Sequence, residues 1–203
     1  MGGRWNPSGK RRDNRLVQFT SSRPVTASLV RLQTTWYATE RGTIMTAEQD
    51  NLLNDYVAGG DLLKRTIAGM SRANVLARPV PGRWSTLEVV CHLADFEPIF
   101  ADRIKRILAM EQPLLMAADE QPFARNLAYH DRDTETEAEL IALTRQQLAT
   151  ILRAKQSEAF QRTGVHSGLG LVTVEQILTK ATQHMLHHVP FIVEKKKALG
   201  LTR

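Results

Sequence analysis

Three times in this chain a hydroxyl residue stands three positions ahead of a Gln or Glu, at the head of a long stretch with apolar residues at helical intervals: Thr46 with Gln49, Ser85 with Glu88, and Thr173 with Gln176. In such a capping box the hydroxyl accepts from the backbone N–H of the third residue, whose side chain reaches back to the cap. Two of the donors that every helix start leaves unpaired are thereby satisfied. The first box opens a pattern of Leu52, Leu53, Tyr56, Val57, Leu62, Leu63, Ile67 and Met70, which predicts a helix over 46–73. Gly59 and Gly60 inside it each cost about 1 kcal/mol relative to Ala and so imply close packing or a local bend. From the second box Leu87, Val90, Cys91, Ala94, Ile99, Ile104 and Leu108 form an apolar side, with Trp84 placed as a hydrophobic staple. Pro98 lacks an amide proton and predicts a kink or a split about a turn beyond His92. The third box opens a helix that ends in Lys195, Lys196 and Lys197 before Gly200, read as a solvated last turn that suits the negative end of the dipole. A fourth helix, from Thr134 to Phe160, carries Glu135, Glu137 and Glu139 in its first turns.

The segments between these patterns are short of strand character. Pro79, Pro81 and Gly82 break the chain before Trp84, and 111–133, with Pro113 and Pro122, reads as a long crossover holding at most a short helix. The glycine-rich run 163–170 reads as irregular and lacks the Lys-Ser/Thr of a phosphate loop. Four helices with one long connection predict an all-α fold, an up-down four-helix bundle with a long crossover. A length of 203 residues suits one such domain.

Charge divides the chain into two parts. Residues 1–44 hold eight basic and two acidic residues, which accounts for the whole net charge of +6. They lack helical periodicity and read as a disordered basic leader, with a transit segment, or an upstream extension before a natural start at Met45, as alternatives. The body, 45–203, is neutral, so the basic balance gives no reason to expect nucleic acid as its partner. A single cysteine, Cys91, excludes an internal disulfide and a Cys-rich metal site and suits a cytoplasmic location. No apolar run is long enough to span a membrane.

Chemistry concentrates in Gln183-His184-Met185-Leu186-His187-His188-Val189. His184 and His188 differ by roughly 40° around a helix and lie one above the other, the spacing from which a helix grips a metal. The alternative is two partly buried histidines, each hydrogen-bonded to a neighbouring helix. In a bundle whose second and fourth helices are neighbours, His92 can complete a set of three imidazoles. The fourth tetrahedral position is then open to water or substrate. His187 points roughly 60° away on the other side, and Cys91 about 100° away from His92, which suits an apolar filler.

Residues Trp84 to Glu97 (WSTLEVVCHLADFE) resemble the second-helix signature of the DinB/YfiT-like superfamily, and His184-Met185-Leu186-His187-His188 resembles its last-helix signature. The resemblance covers about residues 46–199 and implies a four-helix bundle in which His92, His184 and His188 hold a divalent metal: zinc first, with nickel or iron as alternatives. Members include thiol-dependent S-transferases that use small thiols such as bacillithiol or mycothiol, and mycothiol-dependent isomerases. The expected function is accordingly a metal-dependent enzyme activating a low-molecular-weight thiol or a water, S-transfer ahead of hydrolysis. A non-catalytic, damage-inducible metal-binding stress protein is the alternative. A small-molecule substrate and a homodimer go with it. Phe191, after Pro190, stands where members often carry Gln, which removes any amide contact there. Asp95, Glu97 and His187 are the candidates to orient the imidazoles or to serve as a base, Glu88 is first a cap, and His130 and His166 lie in loops where surface exposure is the first reading and folding over the open metal face the second.

Overall fold

The structure, a computed structural model, describes residues 44–201, and the basic leader falls, but for Ile44, outside them. Its helices are α1 (Ala47–Ile67), α2 (Arg72–Leu76), α3 (Thr86–Ala109), α4 (Glu120–Asn126), α5 (Thr134–Arg153) and α6 (Val174–Ala198). All three capping boxes form as read, and a further one, Ser71 with Asn74, opens α2.

The long helices α1, α3, α5 and α6 make the bundle. α1 and α3 each pack against both α5 and α6, so α1 faces α3 across the diagonal. Polar contacts fix the directions. Lys64 pairs with Glu139 and Arg153 donates to Asn54, so α1 and α5 are antiparallel. Lys196 Nζ reaches the carbonyls of Thr66 and Ala68, which brings the C-terminal ends of α1 and α6 together. The rings of His92 and His188 meet, as do those of Phe100 and His184, so α3 and α6 are antiparallel. The order is up, down, down, up. Since α3 and α5 are parallel neighbours, the chain must return the length of the bundle between them, and 110–133 makes that crossover.

Several expectations are corrected. A three-stranded sheet closes the end of the bundle where α3 and α5 finish: β1 (Leu114–Leu115) pairs in parallel with β2 (Thr163–His166), which forms a hairpin with β3 (Gly170–Thr173). The irregular run is thus mostly hairpin. α1 ends at Ile67 rather than 73, because Gly69 takes φ 77° and Ser71 caps a new helix. α5 ends at Arg153, and the expected continuation to Phe160 is a 3-10 turn over Ser157–Gln161. Pro98 lies inside α3 without splitting it.

The core has a lower part around Leu53, Phe100, Leu152 and Phe160 and an upper part around Leu63, Val90, Ile141 and Met185. Each fully buried side chain of this size contributes about 1.5–3 kcal/mol. Gly59 serves close packing, since a Cβ there would lie 2.2 Å from Arg145 Nη1. No helix among the described residues is long and apolar enough to cross a membrane.

Candidate metal centre

The cap at Ser85 starts α3 so that His92 comes two turns in, on the face turned to α6. There it meets His184 and His188. The three ring centroids are 4.8 Å apart in each pair, and one nitrogen from each ring lies within 4.8 Å of the others. Nε2 of His92 and Nε2 of His184 approach to 2.9 Å. Metal–nitrogen bonds of about 2.0–2.1 Å in a tetrahedron separate ligand nitrogens by roughly 3.3 Å, so the cluster is of the right size for one ion.

Apolar rings wall the cluster. Trp84 stands edge-on to His92 at 5.4 Å, Phe96 packs on it at 4.6 Å, and Phe100 touches His184 at 5.5 Å. Burial pushes the imidazole of His92 down, and it pushes His184 and His188 down to about 3, with the neighbouring imidazoles adding to the shift of both. All three rings are neutral at pH 7 and keep the lone pairs a metal requires. Nδ1 of His92 and Nδ1 of His188 are buried without a hydrogen-bond partner. Buried ring nitrogens without partners cost about 1–3 kcal/mol each. Three neutral imidazoles, with Nε2 of His92 and Nε2 of His184 turned to one another, are a donor set that fits a divalent ion.

A cleft of about 210 Å³ opens beside His188, lined also by Trp84, Glu120, Phe191 and Lys195. Two of these carry chemistry that sequence reasoning missed. Glu120, half-exposed at the start of α4, places Oε2 at 3.8 Å from His92 Nε2. It lies in a crossover without periodicity, where nothing local marks it. Lys195, expected in a solvated last turn, is instead 2% exposed and donates to the Phe191 carbonyl at 2.9 Å. It makes no ion pair among the described residues, and burial pushes its ammonium pKa down. A heptad step from His188 was the available signal.

The remaining candidates fall into place around this cluster. Glu97 does not face the imidazoles: Tyr56 Oη donates to its Oε1 at 2.5 Å, and Arg145 donates to its Oε2 from Nε (3.0 Å) and Nη2 (2.7 Å). Burial pushes its carboxyl up, against the Arg145 charge and the Tyr56 hydroxyl. Asp95 pairs with Arg132 at 2.8 Å, and Arg132 also holds Glu137, which ties the end of the crossover to α3 and α5. His187 is exposed, its ring 5.0 Å from His188 and 5.1 Å from Phe191, and it stands outside the trio. Glu88 caps α3 and is clamped by Arg78 at 2.5 Å. Cys91 is fully buried, donates to the Tyr129 carbonyl, and has its thiol pushed up to about 12 by burial. His130 is exposed, 3.7 Å from Glu88, and His166 lies on β2; neither belongs to the trio.

Comparison with known proteins places this arrangement. Over 154 residues the chain is 24% identical to a Bacillus licheniformis protein named "Putative metal-dependent hydrolase", covering 75% of this chain and 88% of the relative. With "Putative metal-dependent hydrolase YfiT" of Bacillus subtilis it is 24% identical over 139 residues, 68% of this chain and 78% of that one. The solved structure of YfiT, described as "a probable metal-dependent hydrolase with an unusual four-helix bundle topology", superposes with a TM-score of 0.71 at 23% identity, covering 78% of this chain and 91% of that one. The sequence profile of the DinB superfamily matches residues 56–192, from Tyr56 beneath the Arg145 cluster to just past the last imidazole, and the chain belongs to the DinB superfamily.

Proposed function

We propose that this protein is a metal-dependent enzyme in which His92, His184 and His188 hold one divalent ion, zinc before nickel or iron. The observation that carries the reading is the meeting of three neutral imidazoles from two helices, one buried and two half-buried, within 4.8 Å. When bound, such an ion supplies a Lewis acid and lowers the pKa of a water or thiol beside it. The protein does the rest. Trp84, Phe96 and Phe100 hold the rings in place and keep water from their outer faces. Glu120, 3.8 Å from His92 Nε2, offers a carboxylate at the mouth of the cleft to accept a proton from an incoming nucleophile. Lys195, across the cleft, offers an ammonium to a substrate oxygen.

A carboxylate beside a set of three imidazoles suits hydrolysis, the activity that the names of the relatives carry. S-transfer from a low-molecular-weight thiol is the second reading, favoured by the two helix signatures around His92 and His184–His188. A homodimer and a small-molecule substrate accompany both. Elemental analysis of protein expressed without a histidine tag is expected to find close to one divalent ion per chain, lost in His184→Ala. Wild type purified metal-free without chelator sinks the proposal. A screen of esters and amides against electrophiles offered with small thiols then separates the two reactions. Metal content without a metal-dependent rate in either arm leaves a binding protein.

A further inference from the structure

A second pocket, about 500 Å³, lies between α3, α6 and the β2–β3 hairpin. Phe96, Phe100, Leu171 and Ile177 give it apolar walls, while Arg103 and Lys180 supply its cations and His166 and Gln176 neutral polar groups. Among the described residues no carboxylate lines it. That is unusual in a body with as many acids as bases, and Arg103 makes it more so.

Arg103 is 9% exposed. Its Nη2 donates to the Met116 carbonyl at 2.5 Å, and its Nε is buried without a partner. The neighbouring carboxylate, Asp102, pairs instead with Arg106 at 2.6 Å. A guanidinium is the group that grips a carboxylate or sulfonate with parallel hydrogen bonds, and leaving one buried without an anion is costly. Nearby charge agrees. Burial and the Arg103 charge push His166 down, so its ring is neutral at pH 7, with Nδ1 accepting from Gly168 N at 3.2 Å. Lys180 stands exposed at the rim, and Leu169 and Leu171 there are 73% and 62% exposed. Volume and lining match what a small ligand with an apolar body needs.

We infer that this pocket binds a small organic anion, a carboxylate or sulfonate on an apolar body, with Arg103 gripping the charged group and Lys180 drawing it in. The pocket shares the rings of Phe96 and Phe100 with the wall of the imidazole cluster but includes none of the three imidazoles, and the inference does not rest on the metal reading.

The test uses anilinonaphthalenesulfonate, an apolar anion that fluoresces when bound, and its uncharged relative phenylnaphthylamine. Chelator-treated full-length protein is expected to bind the sulfonate saturably at one site per chain and the uncharged dye at least about tenfold more weakly. Arg103→Met is expected to weaken the sulfonate by at least about tenfold and Lys180→Glu by about threefold, each leaving the uncharged dye unchanged. Arg103→Lys recovers part of the loss. Should Arg103→Met fail to fold, Lys180→Glu, at an exposed position, decides. Equal affinity for the two dyes, sulfonate binding indifferent to both substitutions, or binding that appears only after zinc is added overturns the inference.

Discussion

Glu97 and Arg145 form the pair on which all four long helices converge. Glu97 lies on α3 and receives hydrogen bonds from Tyr56 of α1 and Arg145 of α5, while Arg145 also donates to the carbonyls of Tyr56 (2.6 Å) and of Ala181 in α6 (3.2 Å). Both charges are almost wholly buried, at 1% and 2% exposure. Removing one member strands the other, so Glu97→Gln and Arg145→Met are each expected to cost about 3–5 kcal/mol in urea unfolding. The double change Glu97→Leu with Arg145→Met is expected to recover most of that. A single-variant cost below about 1 kcal/mol would show that the pair does not hold the bundle together. This cluster was not legible in the sequence, because its partners lie 41 and 48 positions from Glu97 and no local period relates them. The imidazole trio was legible for the opposite reason: two members are one helical turn apart and the third follows a cap that fixes its helix start. Cys91, about 100° around α3 from His92, is the buried apolar filler that this offset implies. Its buried thiol, pushed up to about 12, is expected to resist iodoacetamide at pH 8 and to react only on unfolding. Native labelling at the rate of a free thiol would refute this.

At the scale of elements, caps were easier to see than ends. A capping box is written within four residues, and the three boxes read in the sequence stand where they were placed. Helix ends depend on where the chain stops being useful to the core. Apolar residues continue past Ile67 to Met70 and past Arg153 to Phe160, and the pattern hides the breaks between them. The sheet was hidden by its size and its pairing: β1 is two residues long, and Leu114 finds its partner in Val165, across α4 and α5. The paired glycines of α1 were legible as a packing feature but not as to what they pack on. Gly59 makes room for the Arg145 guanidinium, and Gly60 approaches Ala142, where an added Cβ would lie 3.3 Å from Cα. In an exposed helix Gly→Ala gains about 1 kcal/mol. Here Gly59→Ala drives a methyl into a guanidinium held by hydrogen bonds to three groups, and thermal unfolding is expected to show a net loss of about 2 kcal/mol. Gly60→Ala, which needs only a few tenths of an ångström from α5, is expected to cost less. A stabilised Gly59→Ala would mean that Arg145 is free to move aside.

For the whole molecule, the proposed ion would join α3 to α6, which are adjacent in the bundle but separated in sequence by the crossover, α5 and the hairpin. The unfolded chain cannot present His92 beside His184 and His188, so the ion would bind the folded state and stabilise it by mass action. At about 100 times the dissociation constant the gain is about 2.7 kcal/mol. For a chain of this length that raises the melting temperature by roughly 5–10 °C. His184→Ala is expected to melt at one temperature with or without zinc. Acid opposes binding only when protons take the ring nitrogens, and burial holds His184 and His188 at about 3 in the folded protein. Folded-state values this far below the ordinary value of about 6.5 mean that proton competition begins only well on the acid side of neutrality. The zinc-dependent rise in melting temperature is therefore expected to persist from about pH 8 to pH 5 and to fade only below about pH 4, as the pH approaches about 3. If half of it is already gone at about pH 6.5, as for imidazoles in free solvent, the cluster titrates as an exposed one, and burial is not what readies His92, His184 and His188 for an ion.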